Sequence, residues 1–177
     1  MIGDPARSRY DRASLFAVEH LVGKIADRLK ELNIELPAST FAAKAKSVPW
    51  RRAGNLVFLG GASPQWNGEF VYTRRLGDEI GIEEGQKAAR LTAINMLHRL
   101  GMACDGDLDR VRQCLMLQAY VRCTDDFNQG ALVINGASEL LVDVFGDAGQ
   151  HARTVVGVRS LSRDITVEIS STWELHD

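Results

Sequence analysis

Between residues 111 and 123 the side chains alternate: Val111, Leu115, Leu117, Ala119 and Val121 point one way, and Arg112, Cys114, Met116, Gln118, Tyr120 and Arg122 the other. A period of two over this length predicts a long β-strand whose apolar face has to be covered. The other face is only half polar. With Met116 and Tyr120 on it, that face points to burial against another subunit more than to contact with water.

The covers are helical. Over residues 83–100, Ala89, Ala93, Met96, Leu97 and Leu100 share one face, the spacing of an amphipathic helix. Glu83 and Glu84 stand in its first turn and His98 and Arg99 in its last, which complements the helix dipole, and Gly101 offers a C-terminal cap. A second helix is predicted over 133–145 from Val133, Ala137, Leu140, Leu141 and Val144. An earlier one is predicted from about residue 11 to 32, carried by Val18, Leu21, Val22, Ile25, Leu29 and Leu32 and stopped by Asn33 and Pro37. Residues 37–46, rich in Ala and Ser, read as a linker, so the expected division is 1–46 as helix and linker and 47–177 as the main domain.

Short extended runs fill the remainder. They are predicted at 48–52, 55–59 and 70–74, with turns at Ala53-Gly54 and at Trp66-Asn67-Gly68-Glu69, and again at 154–159 and 165–173 around a turn at 161–164. The order is helix, then strand-strand-strand-helix-strand-helix-strand-strand. That is an α+β arrangement with helices on one face of a mixed sheet.

At 177 residues, 45% hydrophobic and 25% charged, the chain has the size for one domain with an appendage. No apolar run approaches the ~20 residues of a membrane-spanning helix, and Met-Ile-Gly-Asp-Pro-Ala-Arg lacks the features of a secretory signal. A cytoplasmic location without membrane attachment is expected. The net charge of −2 argues against a general nucleic-acid binder. It is unevenly spread: residues 1–52 carry ten basic and six acidic side chains, and 53–177 eleven and seventeen. Cys104, Cys114 and Cys123 lack metal-site or redox spacing and read as reduced thiols, Cys114 as a buried small hydrophobe. His98 and Cys104 find no second pair for a tetrahedral site, so no metal is expected.

Leu59-Gly60-Gly61-Ala62-Ser63 lacks the Lys-Ser/Thr of a P-loop and reads as a tight turn. Ser63 and Ser138 each sit in a Gly-Ala-Ser triplet without the G-x-S-x-G elbow of a serine nucleophile. Trp50, Trp66 and Trp173 read as core or interface anchors. Arg153 is more informative, because an arginine entering an apolar strand needs a partner. Its planar fork suits a bidentate carboxylate, or equally an ion pair with Glu168 if the two strands adjoin. Glu168 is itself an acid within an apolar strand, where burial would raise its pKa and a nearby arginine would lower it.

Four segments together resemble the RidA/YjgF family of reactive intermediate deaminases, also known as L-PSP endoribonucleases, in its longer subgroup with an N-terminal helix. They are residues 83–91 (EEGQKAARL), 106–111 (GDLDRV), 133–138 (VINGAS), and His151-Ala152-Arg153-Thr154 with Glu168 following. Residues 33–37 (NIELP) and 54–58 (GNLVF) extend the similarity over most of the chain. The resemblance implies a chorismate-mutase-like fold, assembled as a homotrimer whose sheets form a closed barrel with ligand pockets between subunits. It implies hydrolysis of a 2-imino or enamino carboxylic acid to a 2-keto acid and ammonia, without metal or organic cofactor. By position, Arg153 matches the arginine that holds the substrate carboxylate, Glu168 the glutamate that places or activates water, and Asn135 an asparagine near the pocket. Thr154 and Val155 match a pocket-lining strand, and Gly60 and Gly61 the loop that meets substrate. Where the family commonly has Ser-Gly-Gln, this chain has Gly60-Gly61-Ala62, and where it often has a pocket tyrosine, this chain has Ser47. Those departures leave open a non-catalytic trimer that binds a small carboxylate or a regulatory partner, with ribonuclease activity as a third reading.

Overall fold

A computed structural model describes residues 21–38 and 47–176. Its centre is a five-stranded sheet of β1 (Trp50–Ala53), β2 (Leu56–Ala62), β5 (Val111–Arg122), β6 (Ala152–Val158) and β7 (Val167–Leu175), in the order β1-β2-β7-β5-β6. Only the β5·β6 pair is parallel. Helices α2 (Ile82–Ala103) and α3 (Gly130–Phe145) cover one face, and a short α1 (Lys24–Glu31) lies beside them. The mixed sheet with one covered face is the architecture expected from the sequence.

The long strand is present, but its inward set differs from strict alternation. Irregularities in the β5·β7 pairing fall between Val111 and Gln113 and between Cys114 and Met116. An extra residue flips the phase of a strand. Cys114 is therefore buried with Leu117, Ala119 and Val121, while Leu115 is only half-buried. Burial pushes the Cys114 thiol up to about 12 and the Cys104 thiol up to about 11, which suits packing more than reactivity.

The expected strand over 70–74 does not join the sheet. β3 (Gln65–Trp66) and β4 (Glu69–Phe70) make a small separate hairpin whose turn places Asn67 at φ 50° and Gly68 at φ 92°, as two-residue hairpin turns require. The following residues are tied down instead by Thr166: its hydroxyl donates to the Arg74 carbonyl (2.7 Å) and its N–H to the Tyr72 carbonyl (3.1 Å).

Helix α2 runs past Gly101. Its stop is a Schellman arrangement, with Asp105 and Gly106 at positive φ and the Gly106 N–H donating back to the Gly101 carbonyl at 2.9 Å. The last-turn pair is consequently interior: His98 is 0% exposed and Arg99 5%. Neither serves as a solvent-facing complement to the dipole. The helices cross closely because Gly136 has no side chain; a Cβ there would lie 2.2 Å from the Gln86 carbonyl oxygen.

Part of the expected helix over 11–32 falls outside the described residues. Within them it begins only at Lys24, because Gly23 takes φ 94° and Val22 pairs with Asp107 as an isolated bridge. The Asp109 carboxylate accepts from the Lys24 and Ile25 N–H groups, both at 2.8 Å. A half-buried residue from the segment leading into β5 thus caps this helix.

Candidate functional site

The site residues named from the sequence fall into two clusters. The first is built by α3 and β6. Gly130 lets the start of α3 sit hard against the sheet, since a Cβ there would be 3.0 Å from Val121 and 3.2 Å from Val155. Ala131, Asn135 and Ser138 follow at i, i+4 and i+7, one stripe of the helix, and that stripe meets Arg153. The Arg153 Nη1 donates to Asn135 Oδ1 (3.1 Å) and to Ser138 Oγ (3.0 Å), and Nη2 donates to the Ala131 carbonyl (3.2 Å). Three of five guanidinium donors are thereby engaged.

His151 extends this network. Its Nδ1 lies 2.7 Å from the Gly149 carbonyl and its Nε2 3.0 Å from Ser138 Oγ. A carbonyl can only accept, so Nδ1 carries the proton. Burial, with Arg153 adding to it, holds the His151 pKa below its ordinary value of 6.5 against the opposing Gly149 bond. Val155 lies on the same side of β6 as Arg153, whereas Thr154 faces the other way and is exposed.

The second cluster surrounds Glu168. Gly60-Gly61 is no turn: it lies inside β2, where the pairing with β7 passes from Leu59↔Ser171 to Ala62↔Ile169 with one residue to spare. This bulge has a use. The buried Arg99 Nη1 donates to the Gly61 carbonyl at 2.7 Å and more weakly to that of Gly60 at 3.3 Å. Burial lowers the Arg99 pKa to about 10, and the charge of Glu168 acts in the opposite direction. Gly61 lies directly beneath the acid; a Cβ on it would be 2.5 Å from Glu168 Oε1.

The clusters are not brought together within one chain. β5 lies between β6 and β7, with Leu117 opposite Arg153 and Tyr120 opposite Glu168. Three residues along β5 reverse the face, so Arg153 is on the helix-covered side and Glu168 on the open side. Two strand spacings and three residues put their Cα atoms on the order of 14 Å apart. That geometry excludes the Arg153 to Glu168 ion pair. The open side also carries Phe58 (43% exposed) and Val156 (45% exposed) near Met116 and Tyr120. Ser47 is exposed just ahead of β1.

Sequence reasoning missed Ser138 as Arg153's neighbour, His151 as Ser138's partner, and Arg99. The first two carried a signal: Ser138 lies three residues beyond Asn135 on a helix, and His151 two before Arg153 at the start of a strand. Arg99 carried none, because its position in the last predicted turn read as solvent-facing. Among the described residues no group of three or more His, Cys, Asp or Glu is arranged to hold a metal ion, and no helix is long and apolar enough to cross a membrane.

Comparison with known proteins gives a consistent picture. Residues 26–164 match the sequence model of the YjgF/chorismate mutase-like endoribonuclease family. Protein TCP17 of Trypanosoma cruzi is 35% identical over 156 residues, covering 88% of this chain and 96% of that protein. Among solved structures, protein Atu1372 of Agrobacterium tumefaciens, of unknown function, is 37% identical with a TM-score of 0.79, covering 86% of this chain and 94% of that one. A Shewanella oneidensis protein whose name suggests an endoribonuclease is 27% identical with a TM-score of 0.82, covering 86% of this chain and 100% of that one.

Proposed function

The chain belongs to the YjgF/chorismate mutase-like endoribonuclease family, also called RidA/YjgF, and on that premise we propose that it hydrolyses the C=N bond of a small 2-imino or enamino carboxylic acid. One observation carries the reading. Among the described residues, three of Arg153's donors are taken up and two are left, one N–H on Nε and one on Nη2. Two N–H groups on the same side of a guanidinium match the two oxygens of a carboxylate. With the carboxylate held there, the imine carbon has a fixed place relative to a water bound at Glu168. Water oxygen adds to the carbon and a proton goes to nitrogen through Glu168; the hydroxyl proton of the carbinolamine then passes to the amino nitrogen, the C–N bond breaks to release ammonia, and the carbonyl forms.

Arg153 and Glu168 lie on opposite faces of one sheet, so a working site takes the arginine from one subunit and the glutamate from its neighbour. The half-apolar open face, with Phe58, Val156, Met116 and Tyr120, is the surface for that association, as a homotrimer. The test supplies imino acids generated in situ and measures keto-acid release by the wild type, Arg153→Ala, Glu168→Gln, and the two variants unfolded and refolded together. Each variant alone is expected to be inactive, and the mixture to recover about a quarter of wild-type activity, because random assembly gives one interface in four both intact residues. Activity of Arg153→Ala equal to wild type would refute the reading, and no recovery in the mixture would refute the shared site.

A second reading is favoured by the β2 bulge: Gly60-Gly61-Ala62 presents no side-chain hydroxyl or amide to a ligand. The same clamp would then hold a small carboxylate without turnover. Keto-acid binding by calorimetry together with no acceleration of imine hydrolysis is the result that selects it.

A further inference from the structure

We propose that Ser138 and His151 are positioning residues that aim the Arg153 guanidinium at its carboxylate ligand. The proposal rests on the reading that Arg153 is the carboxylate clamp and assigns two further residues to it.

The bonds have only one consistent direction. The Gly149 carbonyl fixes a proton on His151 Nδ1, so Nε2 of the neutral ring is an acceptor. The group it faces at 3.0 Å, Ser138 Oγ, must donate its hydrogen to it. The hydroxyl oxygen then turns its lone pairs toward Arg153 Nη1, also at 3.0 Å, and accepts. The chain runs from guanidinium to hydroxyl to imidazole to backbone carbonyl, and each group in it plays the role its chemistry allows. A serine within a helix commonly bonds the carbonyl four residues back; here the hydroxyl is directed across to the strand instead.

Both ends of this chain are anchored. Gly149 sits against α3 so closely that a Cβ would be 2.2 Å from the Leu141 carbonyl oxygen. Asn135 Oδ1 and the Ala131 carbonyl hold the other edge of the guanidinium. A flexible arginine is thereby fixed before any ligand arrives, with two donors that no described residue takes up, which reduces the entropy lost on binding. Burial and the charge of Arg153 both favour the neutral ring that the direction of the chain requires.

The experiment measures pyruvate binding by calorimetry and imine hydrolysis on full-length protein. Ser138→Ala and His151→Phe should each weaken pyruvate binding about tenfold, the loss of one charge-coupled hydrogen bond. KM should rise by a similar factor while kcat changes less. Ser138→Thr and His151→Gln, which keep the hydroxyl and the donor-acceptor pair, should bind within a factor of about three of wild type. The double variant Ser138→Ala/His151→Phe should be no weaker than the worse single one, because both break the same chain. Nitrogen NMR of the wild type should find the His151 proton on Nδ1. A proton on Nε2, or unchanged pyruvate affinity in both Ser138→Ala and His151→Phe while Arg153→Ala loses it, would overturn this proposal alone. Unchanged affinity in Arg153→Ala would overturn the clamp itself.

Discussion

The Arg153 and Glu168 clusters solve the same problem, holding a charged side chain at a defined point, by different means. Around Arg153 the work is done chiefly by side chains: an amide and a hydroxyl on one helix stripe meet the guanidinium beside a carbonyl of the same helix, and an imidazole at the strand start holds the hydroxyl. Around Glu168 it is done by the backbone. A bulge in β2 turns two carbonyls toward the buried Arg99 and leaves a glycine under the carboxylate. A side-chain network fixes direction and can be dismantled one hydrogen bond at a time. A backbone bulge fixes space, and is disturbed by adding atoms more than by removing them.

Substitutions separate the two designs. The largest effect is expected from Arg153→Lys, which keeps the charge but loses the fork: kcat/KM for imine hydrolysis should fall about a hundredfold, the value of two hydrogen bonds to a charged group, with little change in the unfolding midpoint. Arg99→Ala should act chiefly on stability. It strips the Gly60 and Gly61 carbonyls of a buried donor and should lower unfolding free energy by about 2–4 kcal/mol in a denaturant titration. Gly61→Ala should do the reverse, because its φ is not in the left-handed region and the nearest atoms to the added methyl are Oε1, Cδ and Cγ of the flexible Glu168 side chain. Activity should drop about tenfold as the carboxylate is displaced, with stability within about 1 kcal/mol of wild type by the same titration.

The smallest effect is a pH dependence. The His151 pKa is lowered in the folded state, chiefly by burial and also by Arg153. Between that lowered value and 6.5 the unfolded chain binds more protons, so the contribution of neutral His151 is fully present above pH 6.5 and declines as pH falls below it. The unfolding midpoint of wild type should therefore lose more than that of His151→Gln over this window.

Much of this was legible in the sequence, and what was not has physical reasons. The face of α2 formed by Ala89, Ala93, Met96, Leu97 and Leu100 is wholly buried as its spacing predicts, because helical periodicity averages over many residues. The phase of β5 at Cys114 was not legible, since a bulge depends on the partner strand as well as on the strand itself. Arg153 and Asn135 were both named from the family motif, and they do bond to each other. That Glu168 lies on the opposite face follows only from β5 standing between β6 and β7, a matter of strand order that alternation within single strands does not carry. The Gly60-Gly61 pair was read as a turn because consecutive glycines signal one; a bulge uses the same freedom in the middle of a strand.

The Asp109 carboxylate that caps α1 comes from about eighty-five residues further along the chain. A helix of eight residues is too short to persist alone in water, and α1 has no capping side chain of its own. Its contact with Asp109 is one of high sequence separation, so α1 is expected to form after the segment leading into β5 is in place. The same dependence holds in the folded protein. The amides of Lys24 and Ile25 should exchange with solvent whenever α1 lifts from Asp109, at rates set by that local opening and well ahead of those in the sheet.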